Sequence, residues 1–407
     1  MTAMISHPKP ILPRWLQLSQ SPLAEDQQRI KEVLVILRDR EGQRSAARAA
    51  SCYPSVPKAH EALISHYSIV QSHGNPGNRY SDIVPYDRTK VALEDGVAQG
   101  RAGARQPRYL NASWVRELYG GRWFIATQAP RLKSPTPTSR FGSRPRPPAP
   151  DTVHEFLSFI LQSTTCPPTS LDPTFSGHSP IRTVVQLTRY GGRQADAYFP
   201  DVVAAGEKPQ KKIIPAEEGS ALPPLEVKLL KVLEIPEAHC VQSTVSITSA
   251  AHSEPVVFTH MMYAAWPDHG VPEPEDHPSL LQFIRLVEQN NHDGLPPGTD
   301  GPPIIVNCSA GIGRTGTFLA LSSLLRAHGL LTPPYSAYEP ALVRAPATPL
   351  PLPPSLLGPM DLPAGMEGDL VASEIDSLRE QRPGMVQTDV QVLLIYQVFA
   401  MAATASS

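Results

Sequence analysis

Ile304-Ile305-Val306-Asn307-Cys308-Ser309-Ala310-Gly311-Ile312-Gly313-Arg314-Thr315-Gly316 is the stretch on which the reading of this chain turns. An apolar, β-branched run ends at Asn307, a Gly-rich loop follows, and a helical pattern from Thr317 to Leu331 begins directly after it. A strand that feeds such a loop into a helix lets backbone N–H groups converge on an anion. A Cys at the head of the loop fits the same place, because a helix N-terminus and an adjacent Arg both favour the thiolate, the nucleophilic form. Five residues separate Cys308 from Arg314, whose planar fork binds two phosphate oxygens at once. The stretch reads as a phosphate trap built around a nucleophile.

Composition narrows the setting. With 407 residues the chain has room for one large domain or two ordinary ones, and the chemistry-bearing elements, spread from about residue 78 to residue 391, imply one interleaved domain. A net charge of -2 argues against a nucleic-acid footprint and against a polybasic membrane surface. Cys52, Cys166, Cys240 and Cys308 form neither a disulfide framework nor a metal-ligand spacing. A thiolate nucleophile must stay reduced, so a cytosolic or nuclear compartment is expected. Pro8, Pro10 and Pro13 interrupt any signal pattern, and no apolar run approaches the roughly 18 residues that span a bilayer, so the expectation is a soluble protein without a membrane partner.

Pro is the outlier, 46 of 407 residues against a usual share of about 5%. Its clusters mark two surface insertions, 131–150 and 332–364, in which P-x-x-P spacings at Pro145 to Pro150 and Pro351 to Pro354 suit groove-binding partner modules. Between them the pattern predicts strands at Thr183 to Leu187, Val227 to Leu233, Val241 to Ile247 and Pro255 to His260, and helices at Pro278 to Gln289 and Thr388 to Ala402. Residues 1–54 read as an N-terminal helical extension, helical from Trp15 to Arg38, and 55–402 as the catalytic domain.

The trap and four further stations resemble the cysteine-based, classical, tyrosine-specific protein tyrosine phosphatases, of the non-receptor and fungal-like kind. Trp266-Pro267-Asp268-His269-Gly270 resembles the family's mobile acid loop. Asn78-Arg79-Tyr80-Ser81-Asp82-Ile83 is similar to its phosphotyrosine-recognition loop. Tyr109-Leu110-Asn111-Ala112-Ser113 and Phe124 to Pro130 match two core-strand motifs, and Gln387-Thr388-Asp389-Val390-Gln391 is similar to the glutamine loop. The resemblance implies an α/β fold, a twisted mixed sheet flanked by helices, and hydrolysis of phosphotyrosine in proteins with no metal and no organic cofactor.

The resemblance also implies roles. Cys308 attacks phosphorus, and Arg314 with Ser309, Ala310, Gly311, Ile312 and Gly313 binds the phosphoryl oxygens. Asp268 protonates the leaving phenolate, a poor leaving group with a free pKa of about 10. Thr315 donates to the Cys308 sulfur, and Gln387 directs the hydrolytic water. Tyr80 and Ile83 wall a deep pocket, Asp82 takes the substrate backbone amide, and Gln391 joins the substrate-binding set. Three departures stand out: Asn307 where the family has His, no Glu in Thr188-Arg189-Tyr190-Gly191-Gly192-Arg193, and Leu157 where the family usually has Trp. They keep open a catalytically weak phosphotyrosine-binding module, and a dual-specificity phosphatase is the other alternative.

Overall fold

The apolar runs that alternate or carry β-branched residues become strands, and those with helical spacing become helices. The computed structural model describes residues 12–53, 60–93, 108–132, 151–162, 165–173, 175, 180–191, 195–200, 211–216, 222–267, 270–296, 301–331 and 355–405. Before the sheet come α1 (Arg14–Ser19), α2 (Ala24–Ser51) and α3 (Glu61–His66). Then follow β1 (Ala112–Arg116), β2 (Trp123–Gln128), α4 (Val153–Ile160), β3 (Thr183–Gln186), β4 (Lys211–Ile214), β5 (Leu225–Ile235), β6 (Cys240–Ser249) and β7 (Val256–Tyr263). The chain continues through α5 (His277–His292), β8 (Ile304–Cys308), α6 (Gly313–Ala327), α7 (Leu370–Gln381) and α8 (Asp389–Ala405). Pro22 divides the expected N-terminal helix into α1 and α2, since Pro has no N–H for a helix interior.

The eight strands form one mixed sheet in the order β1-β2-β8-β3-β7-β6-β5-β4. β2, β8, β3 and β7 run parallel, and the flanking pairs are antiparallel. β8 lies inside the parallel part and is buried along its whole length, as strands covered on both faces are. Its side chains alternate between two cores. Ile304, Val306 and Cys308 join the core under α1, α2, α5, α6, α7 and α8, whereas Ile305 joins the one under α4. The expected mixed sheet flanked by helices is the fold that forms.

The N-terminal helices belong to the first of these cores. Trp15 and Leu16 of α1, and Ile30, Val33, Leu34 and Leu37 of α2, share one buried cluster with Val306 and Cys308. The buried stripe of α2 keeps its helical spacing beyond Leu37 but changes chemistry, continuing as Arg40 and Arg44. These meet carboxylates on α7. Arg40 pairs with Asp376 at 2.8 Å, and the fully buried Arg44 pairs with Asp376 and Glu380, both at 2.6 Å. Tyr67 and Ser355 also donate to Glu380, at 2.8 and 2.7 Å.

Residues 355–364 are folded onto this assembly, which reaches further than a surface insertion over 332–364 implies. Met360 and Leu362 pack on the first core, and Arg40 donates to the Gly358 carbonyl at 2.8 Å. Residues 133–150 and 332–354, with both P-x-x-P runs, lie outside the described residues. Among the described residues no helix is long and apolar enough to cross a membrane.

The buried ion cluster makes a stability prediction. Burial pushes the Glu380 carboxyl up, but the His66 hydrogen bond and the Arg44 charge outweigh it and hold the group well below the usual carboxylate range. A depressed carboxyl contributes stability above its ordinary pKa of about 4.3 and loses it as the pH falls. Arg44→Met takes the nearest guanidinium from Glu380 and one of two from Asp376, and should cost about 3–5 kcal/mol at neutral pH in urea unfolding. The gap to the unsubstituted protein should narrow below pH ~4. A loss independent of pH would show that Arg44 acts through packing alone.

Candidate active site

Cys308 closes β8 and Gly313 opens α6, so Ser309 to Ile312 alone carry the chain from strand to helix. Gly311 makes the reversal: its φ of 72° is left-handed, and a Cβ there would strike the Thr127 carbonyl of β2. The carbonyls of the loop all find partners on its outer side. Ser309 O accepts from Ala129 N at 3.0 Å, and Ile312 O from Val386 N at 3.2 Å. Ala310 O and Gly311 O accept from the Arg382 guanidinium at 3.1 and 2.8 Å. Peptide planarity opposes each N–H to its carbonyl, and the Gly311 N–H points at Cys308 Sγ, 3.2 Å away.

Arg382, absent from the sequence reading, is completely buried and completes its bonding on β1 and the residue before it, to Ser113 Oγ at 3.1 Å and Asn111 Oδ1 at 2.9 Å. Burial, the largest influence on its guanidinium, lowers the pKa to about 10, so it stays protonated at neutral pH. On the far side of the loop, Arg314 donates to the Leu187 carbonyl at 3.2 Å. The Thr-Gly pair after Arg314 has a packing reason, because a Cβ at Gly316 would overlap the Val386 backbone.

Two expectations about the sulfur's neighbours are modified. Thr315 is buried and its hydroxyl has no hydrogen-bond partner among the described residues, so the expected donation to Cys308 is not made; the sulfur takes its bond from the loop backbone. Asn307, in register between Thr127 of β2 and Gln186 of β3, is fully buried with neither Oδ1 nor Nδ2 bonded among the described residues. Such an amide ties nothing down. Leu157 packs in the core beside Phe156.

The walls above the loop come from three segments. A cleft of about 430 Å³ is lined by Tyr80, Asp82, Ile83, Cys308, Ser309, Ala310, Gly313, Arg314, Gln387, Val390 and Gln391, among others. The Tyr80 hydroxyl reaches Ser309 Oγ at 2.8 Å. The core-strand motifs hold the Tyr80 loop: Asn111 donates to Ile83 O at 2.7 Å, Tyr109 to Asn78 Oδ1 at 2.6 Å, and Arg79 N to Gln128 Oε1 at 2.8 Å. Gln391 Oε1 accepts from Gln387 N at 2.9 Å and Thr388 N at 3.3 Å, satisfying amides at the start of α8 as a capping box does. A larger cleft, about 530 Å³, lies behind α7 and contains none of the expected site residues.

Asp268 and His269 lie outside the described residues. The flanks of their loop are fixed. Trp266 is buried and donates to Gly270 O at 3.4 Å, and Arg189 donates to Ala264 O at 2.6 Å. Gly270 lines the cleft. Cys240 is a buried strand residue whose thiol pKa is pushed up to about 12 by burial, which makes it inert as a nucleophile.

Comparison with known proteins agrees with this geometry. The protein-tyrosine phosphatase family model matches residues 75–167 and 178–329. The human receptor-type tyrosine-protein phosphatase H is 28% identical over 333 residues, 80% of this chain and 21% of that protein. The Arabidopsis thaliana protein-tyrosine-phosphatase PTP1 is 28% identical over 271 residues, 65% of this chain and 62% of that protein. The Dictyostelium discoideum tyrosine-protein phosphatase 1 is 25% identical over 252 residues, 61% of this chain and 39% of that protein. The chain thus spans less than two thirds of the length of each of these relatives.

The unbonded Asn307 amide makes a prediction. An imidazole reaches further than this amide, and each hydrogen bond that orders the loop amides around the sulfur favours the thiolate. Asn307→His should therefore speed alkylation of Cys308 by iodoacetate at mildly acidic pH, with the difference closing as the pH rises. Coincident pH curves for the two proteins would mean that Asn307 fully replaces the ring.

Proposed function

Because this chain belongs to the protein-tyrosine phosphatase family, we propose that it hydrolyses phosphotyrosine in proteins through a phosphocysteine intermediate on Cys308, with Asp268 as general acid. The observation that carries the reading is the inward Gly311 N–H at 3.2 Å from Cys308 Sγ, at the floor of a cleft walled by Tyr80. A backbone donor aimed at sulfur stabilises the thiolate and is ready for the oxygens of a bound phosphoryl group.

In the first step the Cys308 thiolate attacks phosphorus while the bond to the tyrosyl oxygen breaks. The loop amides from Ser309 to Gly313 and the Arg314 fork take the charge spread over the equatorial oxygens. Asp268 gives its proton to the departing oxygen. In the second step water attacks phosphorus, the P–S bond breaks with its electron pair returning to sulfur, and Asp268 takes back a proton. Gln387 orients that water, while Ile83 and Asp82 receive the substrate beside Tyr80. The depth set by Tyr80 favours phosphotyrosine over phosphoserine and disfavours the dual-specificity alternative. The unbonded Asn307 favours one second reading, a weak enzyme that chiefly binds phosphotyrosine.

The partners we propose are phosphotyrosine proteins, with Pro-motif modules at the insertions. A cytoplasmic setting, extending to the nucleus, suits a reduced nucleophile.

Hydrolysis of phosphotyrosine against phosphoserine peptides is the direct test. Only the former should turn over, in the presence of chelator, and Cys308→Ser should abolish turnover while phosphotyrosine-peptide binding persists. Turnover surviving that substitution would sink the mechanism. Asp268→Asn should slow a phenyl-type ester by roughly 10²–10⁴ and an activated ester far less; equal losses on both would make Asp268 a turn residue.

A further inference from the structure

Val386 has a φ of 55°, a left-handed conformation rarely adopted by a β-branched residue. It precedes Gln387, whose side-chain oxygen lies against Gly313, 3.3 Å from where a Cβ would stand. A strained residue keeps its conformation only where its surroundings over-determine it; here the Val386 N–H is held by Ile312 O at 3.2 Å, and the carbonyls of the turn are held by one side chain. The buried Arg379 donates from Nε to Met385 O at 2.9 Å and from Nη2 to Val386 O at 2.7 Å. Its Nη1 donates to Leu37 O of α2 at 2.7 Å. Two bonds go to the turn before Gln387 and one to the N-terminal helix, so a single planar fork anchors the glutamine loop to α2.

We infer that Arg379 is a positioning residue for hydrolysis of the phosphoenzyme, acting through Gln387 and making α2 part of that machinery. This rests on the phosphocysteine reading proposed above. In that step water forms the new P–O bond, the P–S pair returns to Cys308, and the water proton passes to the Asp268 carboxylate; Gln387 must hold the water in line. A turn that relaxes at Val386 displaces Gln387, whereas the loop around Cys308, though bonded to that turn through Ile312 O, keeps its other carbonyl partners, Ala129 N and the Arg382 fork. Arg379 should therefore matter to the second step far more than to the first. Lys at this position keeps the charge but lacks the fork that fits three carbonyls in fixed directions.

Stopped-flow release of 4-nitrophenol from 4-nitrophenyl phosphate by the full chain separates the steps, the burst reporting formation of the phosphoenzyme and the steady state its hydrolysis. Arg379→Lys should keep the burst rate within about twofold while the steady-state rate falls about 10- to 100-fold, the scale of a misplaced reacting group. Combined with Gln387→Ala it should add little, since both act through one group. Arg379→Gln, which leaves no buried charge, repeats the test should the lysine variant not fold. Equal loss of both phases, loss additive with Gln387→Ala, or unfolding of both variants overturns the inference and makes Arg379 a structural residue. Release of 4-nitrophenol that survives Cys308→Ser overturns the phosphocysteine reading itself, and this inference with it.

Discussion

A peptide that turns its N–H inward, as that of Gly311 does toward the Cys308 sulfur, must turn its carbonyl outward, and the outward carbonyls of the loop need partners inside a protein. A single guanidinium meets much of that need. Arg382 bonds two of the loop carbonyls and two side-chain oxygens, Ser113 Oγ and Asn111 Oδ1, so one buried cation ties the phosphate loop to β1 and to the end of α7. Taking a cation so far from water is unfavourable, as its lowered pKa records, and the site tolerates it because several donors of the fork are bonded and the sulfur lies nearby. Gly311 and Gly316 complete the arrangement by letting backbone approach where no side chain fits.

α7 is consequently the element that the site leans on from behind, and it is held by charge as well as by apolar packing. Asp376 and Glu380 face Arg40 and Arg44 of α2, Asp369 caps its first turn through Val371 N and Ala372 N, and Arg379 leaves its last turn for the glutamine loop. Breaking such pairs from one side is costly, which makes the N-terminal helix a structural partner of the phosphate loop at a distance.

The parts legible in the sequence are those whose signal is local. Cys308 to Gly316 carries strand, turn and helix start in one stretch, and β3, β5, β6, β7, α5 and α8 fall where periodicity puts them. α6 starts four residues earlier than its apolar pattern, because the loop glycines belong to its first turn. Arg379 and Arg382 were not legible, since a buried Arg on a helix has the same sequence signature as a solvated one and their acceptors are distant main-chain carbonyls. α7 follows directly on a Pro-rich run that reads as an insertion, and the turn of α2 from Leu37 to Arg40 and Arg44 looks like the end of an apolar stripe. The Thr315 expectation fails for a different reason: the family pattern supplies a donor, but the Gly311 backbone bonds the sulfur.

If the loop serves to let Cys308 carry a phosphoryl group, that residue is phosphorylated in each turnover. Acid-quenching the full chain during turnover of an aryl phosphate, followed by peptide mass spectrometry, shows where the group resides. Phosphate is expected on the peptide containing Cys308, at the sulfur. Phosphate on any other residue, or turnover with none trapped on Cys308 under conditions where hydrolysis of the intermediate limits the rate, would contradict that role of the loop.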